Sequence, residues 1–306
     1  MPHAFRDPSR DGTKRDVPGG RRLTIAVFAV TAMMAGGNAV AIRMSNAELA
    51  PFWGASLRFL AAAALLFVVA ALMRLSLPGG RALFGALLYG LFAFGLAFGF
   101  VYWAMVEVTA GTAMVGLAVV PMLTLLLAVA VGLERFTLRG VAGAVIAAVG
   151  IFIVFSDALA AASLASMIAL LGGAASMAAT PIVVKTFPPV HPVMRNAIGM
   201  LVGGGILLAV SLVVAEPRVW PSDARTQMAL VYLVLFGSIG VFLLYLFLLS
   251  RMTASATNYI MLLAPLAAVV FGFLLLGETI SPVFVLGSAL VLVGVYAGAI
   301  MAGKDA

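Results

Sequence analysis

Residues 109–150 read TAGTAMVGLAVVPMLTLLLAVAVGLERFTLRGVAGAVIAAVG, and residues 253–294 read TASATNYIMLLAPLAAVVFGFLLLGETISPVFVLGSALVLVG. Laid over one another at an offset of 144, they place Thr109-Ala110 on Thr253-Ala254, Pro121 on Pro265 and Glu134 on Glu278. Gly143 falls on Gly287 and Gly150 on Gly294, with no gap. The background is almost wholly apolar, so polar, proline and glycine positions held in register mark an internal duplication. Each copy contains two apolar runs near the length an α-helix needs to cross a bilayer, joined by a short turn that carries the glutamate.

Working outward, the whole chain has this character. It is 64% hydrophobic and 9% charged, with a mean hydropathy of +1.20, far more apolar than a soluble domain. In hydrocarbon every backbone polar group needs an internal partner, which leaves helices or closed barrels. The runs are helix-length and lack strict alternation, so the chain is expected to be an all-α membrane protein. Spans are expected at 23–43, 52–73, 82–103, 109–131, 138–155, 164–186, 192–214, 228–250, 255–276 and 282–302. Residues 1–22 are polar, mixed in charge and rich in Pro and Gly, and read as a disordered basic tail. Residues 303–306 form a second, short tail. The two five-helix repeats then cover 23–158 and 159–302.

The basic residues sort by side. With the N-terminus in the cytoplasm, fourteen Lys and Arg fall on that face, and Arg43, Arg218 and Arg225 on the other, while Arg58 lies within a span. This bias places both termini in the cytoplasm of a bacterial-type plasma (inner) membrane, in a multi-pass protein. Because five is odd, the second repeat must insert upside down relative to the first. Inverted repeats of this kind enclose a binding site between them. The net charge of +7 is therefore a topology signal beside anionic lipid, and no nucleic-acid partner is expected.

The repeated Thr-Ala pair, the span proline, the glutamate after it and the two following glycines resemble the EamA-type transporters of the drug/metabolite transporter superfamily. PFWGASLRFLAAAALLF, with Arg58-Phe59, is similar to that family's second span. The resemblance covers about residues 23–302. It implies a ten-helix carrier with a central cavity, commonly exporting amino acids or other small metabolites. The Arg-Phe pair lacks a clean counterpart in the second half, so the symmetry is expected to break there.

Candidate functional groups are few. Arg58, a charge inside a span, is a site candidate by default, with snorkelling or pairing to Glu107 or Glu48 as the structural alternative. Asn38 and Asn258 can both donate and accept, which suits a zwitterionic or hydroxyl-bearing ligand. Tyr89, Phe98, Tyr102, Thr180, Tyr245 and Thr257 complete the cavity candidates, with Trp103 read as an interfacial belt residue. Pro121 and Pro265 each free a backbone carbonyl and are read as kinks or hinges. Glu134 and Glu278 are read as structural, accepting from N–H groups of the helix that follows and, for Glu134, pairing with Arg135 or Arg139.

Absences narrow the function. No Asp or Glu lies in the middle third of a span, which disfavours a multidrug cation exporter and favours a neutral or zwitterionic, amino-acid-like solute. A facilitative, channel-like permease is the alternative. His3 and His191 stand apart, and there is no HExxH, GxSxG or aspartate pair, so neither enzyme chemistry nor a metal or other cofactor is expected. With no cysteine, disulfides are excluded. The expected partners are a small-molecule solute and lipid, with the chain a monomer or, through glycines of the last span, a homodimer.

Overall fold

The computed structural model describes residues 18–130, 138–158, 162–251 and 260–297, and among these the chain is helical. Six helices are long and apolar enough to cross a membrane, and four shorter apolar helices fill the remaining expected spans. In chain order they are α1 (Pro18–Ser45), α2 (Pro51–Leu72) and α3 (Gly80–Ala104). Next come α4, in two pieces (Ala110–Leu117 and Val120–Ala130), α5 (Leu138–Ala158), α6 (Leu164–Thr186) and α7 (Pro192–Val213). The last three are α8 (Ala224–Tyr232, continued by Leu233–Gly240 and Val241–Arg251), α9 (Ile260–Leu276) and α10 (Pro282–Val295). Residues 18–22 were expected in the tail but belong to α1, which starts at Pro18. A proline is tolerated in the first helical turn, where its missing N–H has no partner to lose.

The glycines shared by the two copies are the crossing point of α5 and α10. A Cβ on Gly150 would lie 2.6 Å from Val291 N and 2.7 Å from Gly287 O, and one on Gly294 would lie 2.7 Å from Gly143 O. Without side chains the two backbones touch, as small residues permit between membrane helices. The repeat motif therefore joins the last span of one half to the last span of the other.

Two spans are interrupted by π-helical turns, Leu91–Leu96 in α3 and Leu233–Gly240 in α8. The 144-residue offset carries 91–96 onto 235–240, so the duplication extends into spans whose sequences match only loosely. Their packing is opposite in sense. In α3 the bulky Phe94, which is fully buried, presses on Gly203 of α7. In α8 the equivalent position is Ser238, and it faces Arg58 of α2. A knob on the π turn and a hole on the neighbouring helix have exchanged places between the halves.

The proline pair is not symmetric either. Pro121 follows a break at Ala118–Val119 that divides α4, whereas Pro265 sits within a continuous α9. The remaining core is apolar and lipid-facing positions such as Phe152 and Leu274 are exposed, the distribution expected of helices solvated by hydrocarbon.

Candidate functional site

The polar centre of the molecule is built on Arg58. The residue is 0% exposed, and its guanidinium lies 4.8 Å from the Phe59 ring centroid and 5.0 Å from that of Phe98. Nε donates to Ser238 Oγ at 2.8 Å and one terminal nitrogen to Gly237 O at 3.0 Å. The other terminal nitrogen reaches Tyr102 OH at a long 3.4 Å. Asn38 Nδ2 donates to the same Gly237 carbonyl at 3.2 Å. Its buried Oδ1 meets no donor among the described residues. Gly237 must be glycine, because a Cβ there would collide with Asn38 Oδ1 and lie 3.2 Å from an Arg58 terminal nitrogen. The π turn supplies the carbonyl, since a wider turn takes a peptide out of the α-helical bonding pattern, and such bulges recur at functional sites.

This cluster joins the repeats: Arg58, Asn38 and Tyr102 come from the first, Gly237 and Ser238 from the second. Sequence reasoning expected Arg58 to pair with Glu107 or Glu48 if it were structural. Neither does so. Among the described residues no carboxylate contacts Arg58, and a buried charge supported only by dipoles and ring faces is costly.

The other candidates divide. Phe98 stacks on Phe94 and meets Phe59 edge-on, forming the cluster's aromatic wall. Tyr89 is buried close by, and its OH donates to Asn196 Oδ1 at 2.8 Å. Thr180 is not brought to the cluster; its hydroxyl bonds back to Ser176 O of its own helix at 3.2 Å, a common resting place for a helical threonine. Tyr245 packs instead with Ala32, Leu248 and Ile260. Trp103 is 40% exposed. Thr257, Asn258 and Glu134 lie outside the described residues. Gly237, Ser238 and Asn196 were missed. The duplication offered a signal for Ser238, a small polar residue where the other copy has Phe94.

Glu278 corrects the sequence reading. It was expected to accept from the helix that follows, α10. Instead Oε1 accepts from Ala110 N of α4 at 2.9 Å and lies 3.9 Å from Arg43 Nε. Gly277, at φ +65°, ends α9, and Glu278 N then bonds to Gly272 O at 3.2 Å. That closure, one residue wider than a Schellman turn, aims the carboxylate across the face.

The same device recurs over the whole face on which α2, α4, α6, α8 and α10 begin. Glu216 accepts from Phe52 N and Trp53 N at the start of α2. Glu107 accepts from Ser163 and Ser166 at the start of α6. Glu48 accepts from Ser222 and Asp223 before α8. Asp157 accepts from Ser281 Oγ, the cap of α10. Each loop thus sends a carboxylate to a helix N-terminus rooted in a different loop, where the unpaired N–H groups and the helix dipole favour it. The bonds from Ser222 hold the Glu48 carboxyl at about 2, and those from Ser163 and Ser166 do the same for Glu107. Between these loops lies a cleft of about 380 Å³ lined by Pro51, Phe52, Trp103, Glu107, Ser166 and Glu216 among others.

An inverted pair of five-helix units joined by a polar seam is an architecture found among membrane transporters. The model of the EamA-like transporter family matches residues 22–156 and again 164–297. The chain belongs to the EamA-like transporter family, a family of transporters and not of enzymes. It is 32% identical over 244 residues to the "Uncharacterized inner membrane transporter YedA" of Escherichia coli (strain K12), covering 79% of each chain. It is also 31% identical over 118 residues to a WAT1-related chloroplastic protein of Arabidopsis thaliana, covering 37% of this chain and 28% of that one. A solved crystal structure superposes with a TM-score of 0.66 at 17% identity, covering 93% of this chain and 99% of the other, a likeness of fold.

Proposed function

We propose that the protein is a secondary transporter of a small neutral or zwitterionic, amino-acid-like metabolite, exported by alternating access between the two repeats. The observation that carries this reading is the contact of Arg58 and Asn38 of the first repeat with Gly237 and Ser238 of the second. It is a polar cluster at the seam of an otherwise apolar molecule, and intramembrane ionisable groups mark solute pathways. The carboxylate caps support the same reading, because they tie the loops of one face into two separate sets on either side of a cleft, as rigid bodies that rock against each other require. The bias of basic residues supports that capped face as the outer one, with both termini cytoplasmic. YedA, by name an inner-membrane transporter, supports a bacterial inner-membrane location.

One observation favours a second reading, facilitated movement without proton coupling. The described carboxylates that cap helices, Glu48, Glu107, Asp157, Glu216, Asp223 and Glu278, all lie at loops or helix ends. None is placed to carry a proton through the bilayer. The test is counterflow in proteoliposomes: preloaded solute should drive saturable uptake of labelled solute. Uptake that never saturates and shows no counterflow would replace the carrier with a channel-like permease. A pH gradient that drives accumulation would exclude the uncoupled reading.

A further inference from the structure

Resting on the carrier reading above, we propose that Arg58 and Asn38 form the seat for the head group of a zwitterionic α-amino acid, the guanidinium taking the carboxylate and Asn38 Oδ1 the ammonium. Arg58 is a cation enclosed among neutral partners: a serine hydroxyl, a peptide carbonyl, a tyrosine hydroxyl and two phenylalanine rings. The carboxylates among the described residues nearest in sequence, Glu48 and Glu107, are tied to backbone and hydroxyl groups of other helices. A guanidinium has five N–H donors in a planar fork that matches a carboxylate. Among the described residues only three have acceptors, one of them at 3.4 Å.

The second half of the seat is an acceptor. Asn38 spends its Nδ2 on Gly237 O, the carbonyl that Arg58 also uses, and its Oδ1 is buried beside them without a donor. Uncommitted donors of a cation and an uncommitted amide oxygen thus meet at one glycine. A carboxylate and an ammonium on neighbouring atoms complement that pair, and each would relieve a buried group that otherwise lacks its partner. The rings of Phe59, Phe94 and Phe98 around it favour an apolar side chain on the cargo.

The experiment uses the full chain in proteoliposomes, counterflow with the twenty labelled L-amino acids, and competition by their amides and amino alcohols. Uptake of at least one amino acid is expected, inhibited by the unlabelled acid and not by the amide or alcohol with the same side chain. Truncating one partner of a buried charge pair commonly weakens binding by about thirtyfold or more, the rise in half-saturating concentration expected for Arg58→Gln. Arg58→Lys should fall between Arg58→Gln and the native chain. Asn38→Leu should weaken the amino acid while leaving the corresponding 2-hydroxy acid less affected, because an ammonium depends on that oxygen more than a hydroxyl does. Competition in the native chain requires no variant to fold. If amides and amino alcohols are carried as well as the acids, or a folded Arg58→Gln transports normally, the seat is overturned and the carrier stands. If neither acids nor their neutral analogues show saturable counterflow, the reading of an amino-acid-like cargo falls and this seat falls with it.

Discussion

Glu278 of the second repeat caps the first turn of α4 in the first, its Oε1 2.9 Å from Ala110 N. Both residues belong to the duplicated motif, yet the motif does not close on itself. The glutamate of one copy holds the Thr-Ala helix start of the other copy, 168 residues away. Cap and capped helix lie at the face opposite the start of α1, where Arg43 also donates to the carbonyls of Met105 and Val106.

Glu278→Gln should loosen that face. Since the chain has no cysteine, Val108→Cys provides a buried reporter. Loss of a capping interaction is worth about 1 kcal/mol, so labelling by a membrane-impermeant maleimide should rise about three- to tenfold in the double variant. Unchanged labelling would mean that the cap fastens a helix without sealing the face.

The caps at Glu48 and Glu107 give a pH signature. Both carboxyls are held at about 2, below the ordinary 4.5, by hydrogen bonds made to the charged form. A depressed acid contributes stability that is complete above the unfolded value and lost as pH falls towards the folded one. The melting temperature should therefore show no loss from these groups between pH 7 and about 5, then fall between about 4.5 and 2. Glu107→Gln should flatten part of that descent. A slope centred near neutrality would point to another group.

Ala215 has φ +54°, Glu216 N bonds to Ser211 O at 3.0 Å and Ala215 N to Leu212 O at 3.2 Å, a Schellman closure of α7. Alanine is disfavoured in the left-handed region by about 1 kcal/mol. Ala215→Gly should raise the melting temperature by about 1–3 °C. A decrease would show that the Ala215 side chain contributes packing there.

Gly203→Ala should be damaging, because its Cβ would strike Phe94 and lie 2.8 Å from Gly95 N. Forced overpacking costs about 1–3 kcal/mol. Gly205, on the same helix, has nothing within 4 Å, and Gly205→Ala should be neutral or stabilising by up to about 1 kcal/mol. Equal melting temperatures for the two variants would refute the knob-and-hole packing of α3 on α7.

Pro121→Ala should let Ala118–Val119 join the two pieces of α4. We expect slower counterflow at an almost unchanged melting temperature. The same change at Pro265 should have the smaller kinetic effect, because α9 is already continuous. The reverse order would assign the hinge to α9.

Much of this was legible in the sequence because helix length and the 144-residue offset are properties of the chain itself. Arg58, Asn38 and Tyr102 could be selected singly, as polar groups stranded in apolar spans. Their meeting at Gly237 could not, because glycine and serine in an apolar run carry no mark of what will pack against them. The π turns were hidden for a related reason: a change from α to π bonding reflects tertiary fit more than composition. Glu278 was placed at the correct end of its span but assigned to its neighbour in sequence. Which helix a carboxylate caps depends on how the loops lie over one another, and pattern reasoning sees only adjacent turns. Thr180 shows the converse, a polar group that its own helix satisfies.

The carboxylate caps sort the five loops into closed sets. Those before α2 and α8 cap each other's helices, through Glu48 and Glu216. The other three form a circuit: Glu107 to α6, Asp157 to α10 and Glu278 to α4. Among the described residues no carboxylate cap runs between the couple and the trio; the polar links across that boundary at loop level come from Arg43 of α1 and Asn46 just after it. The cleft follows the same boundary. Couple and trio can therefore part like two halves of a clam without unfastening a single helix start, and one arginine with one asparagine makes the latch.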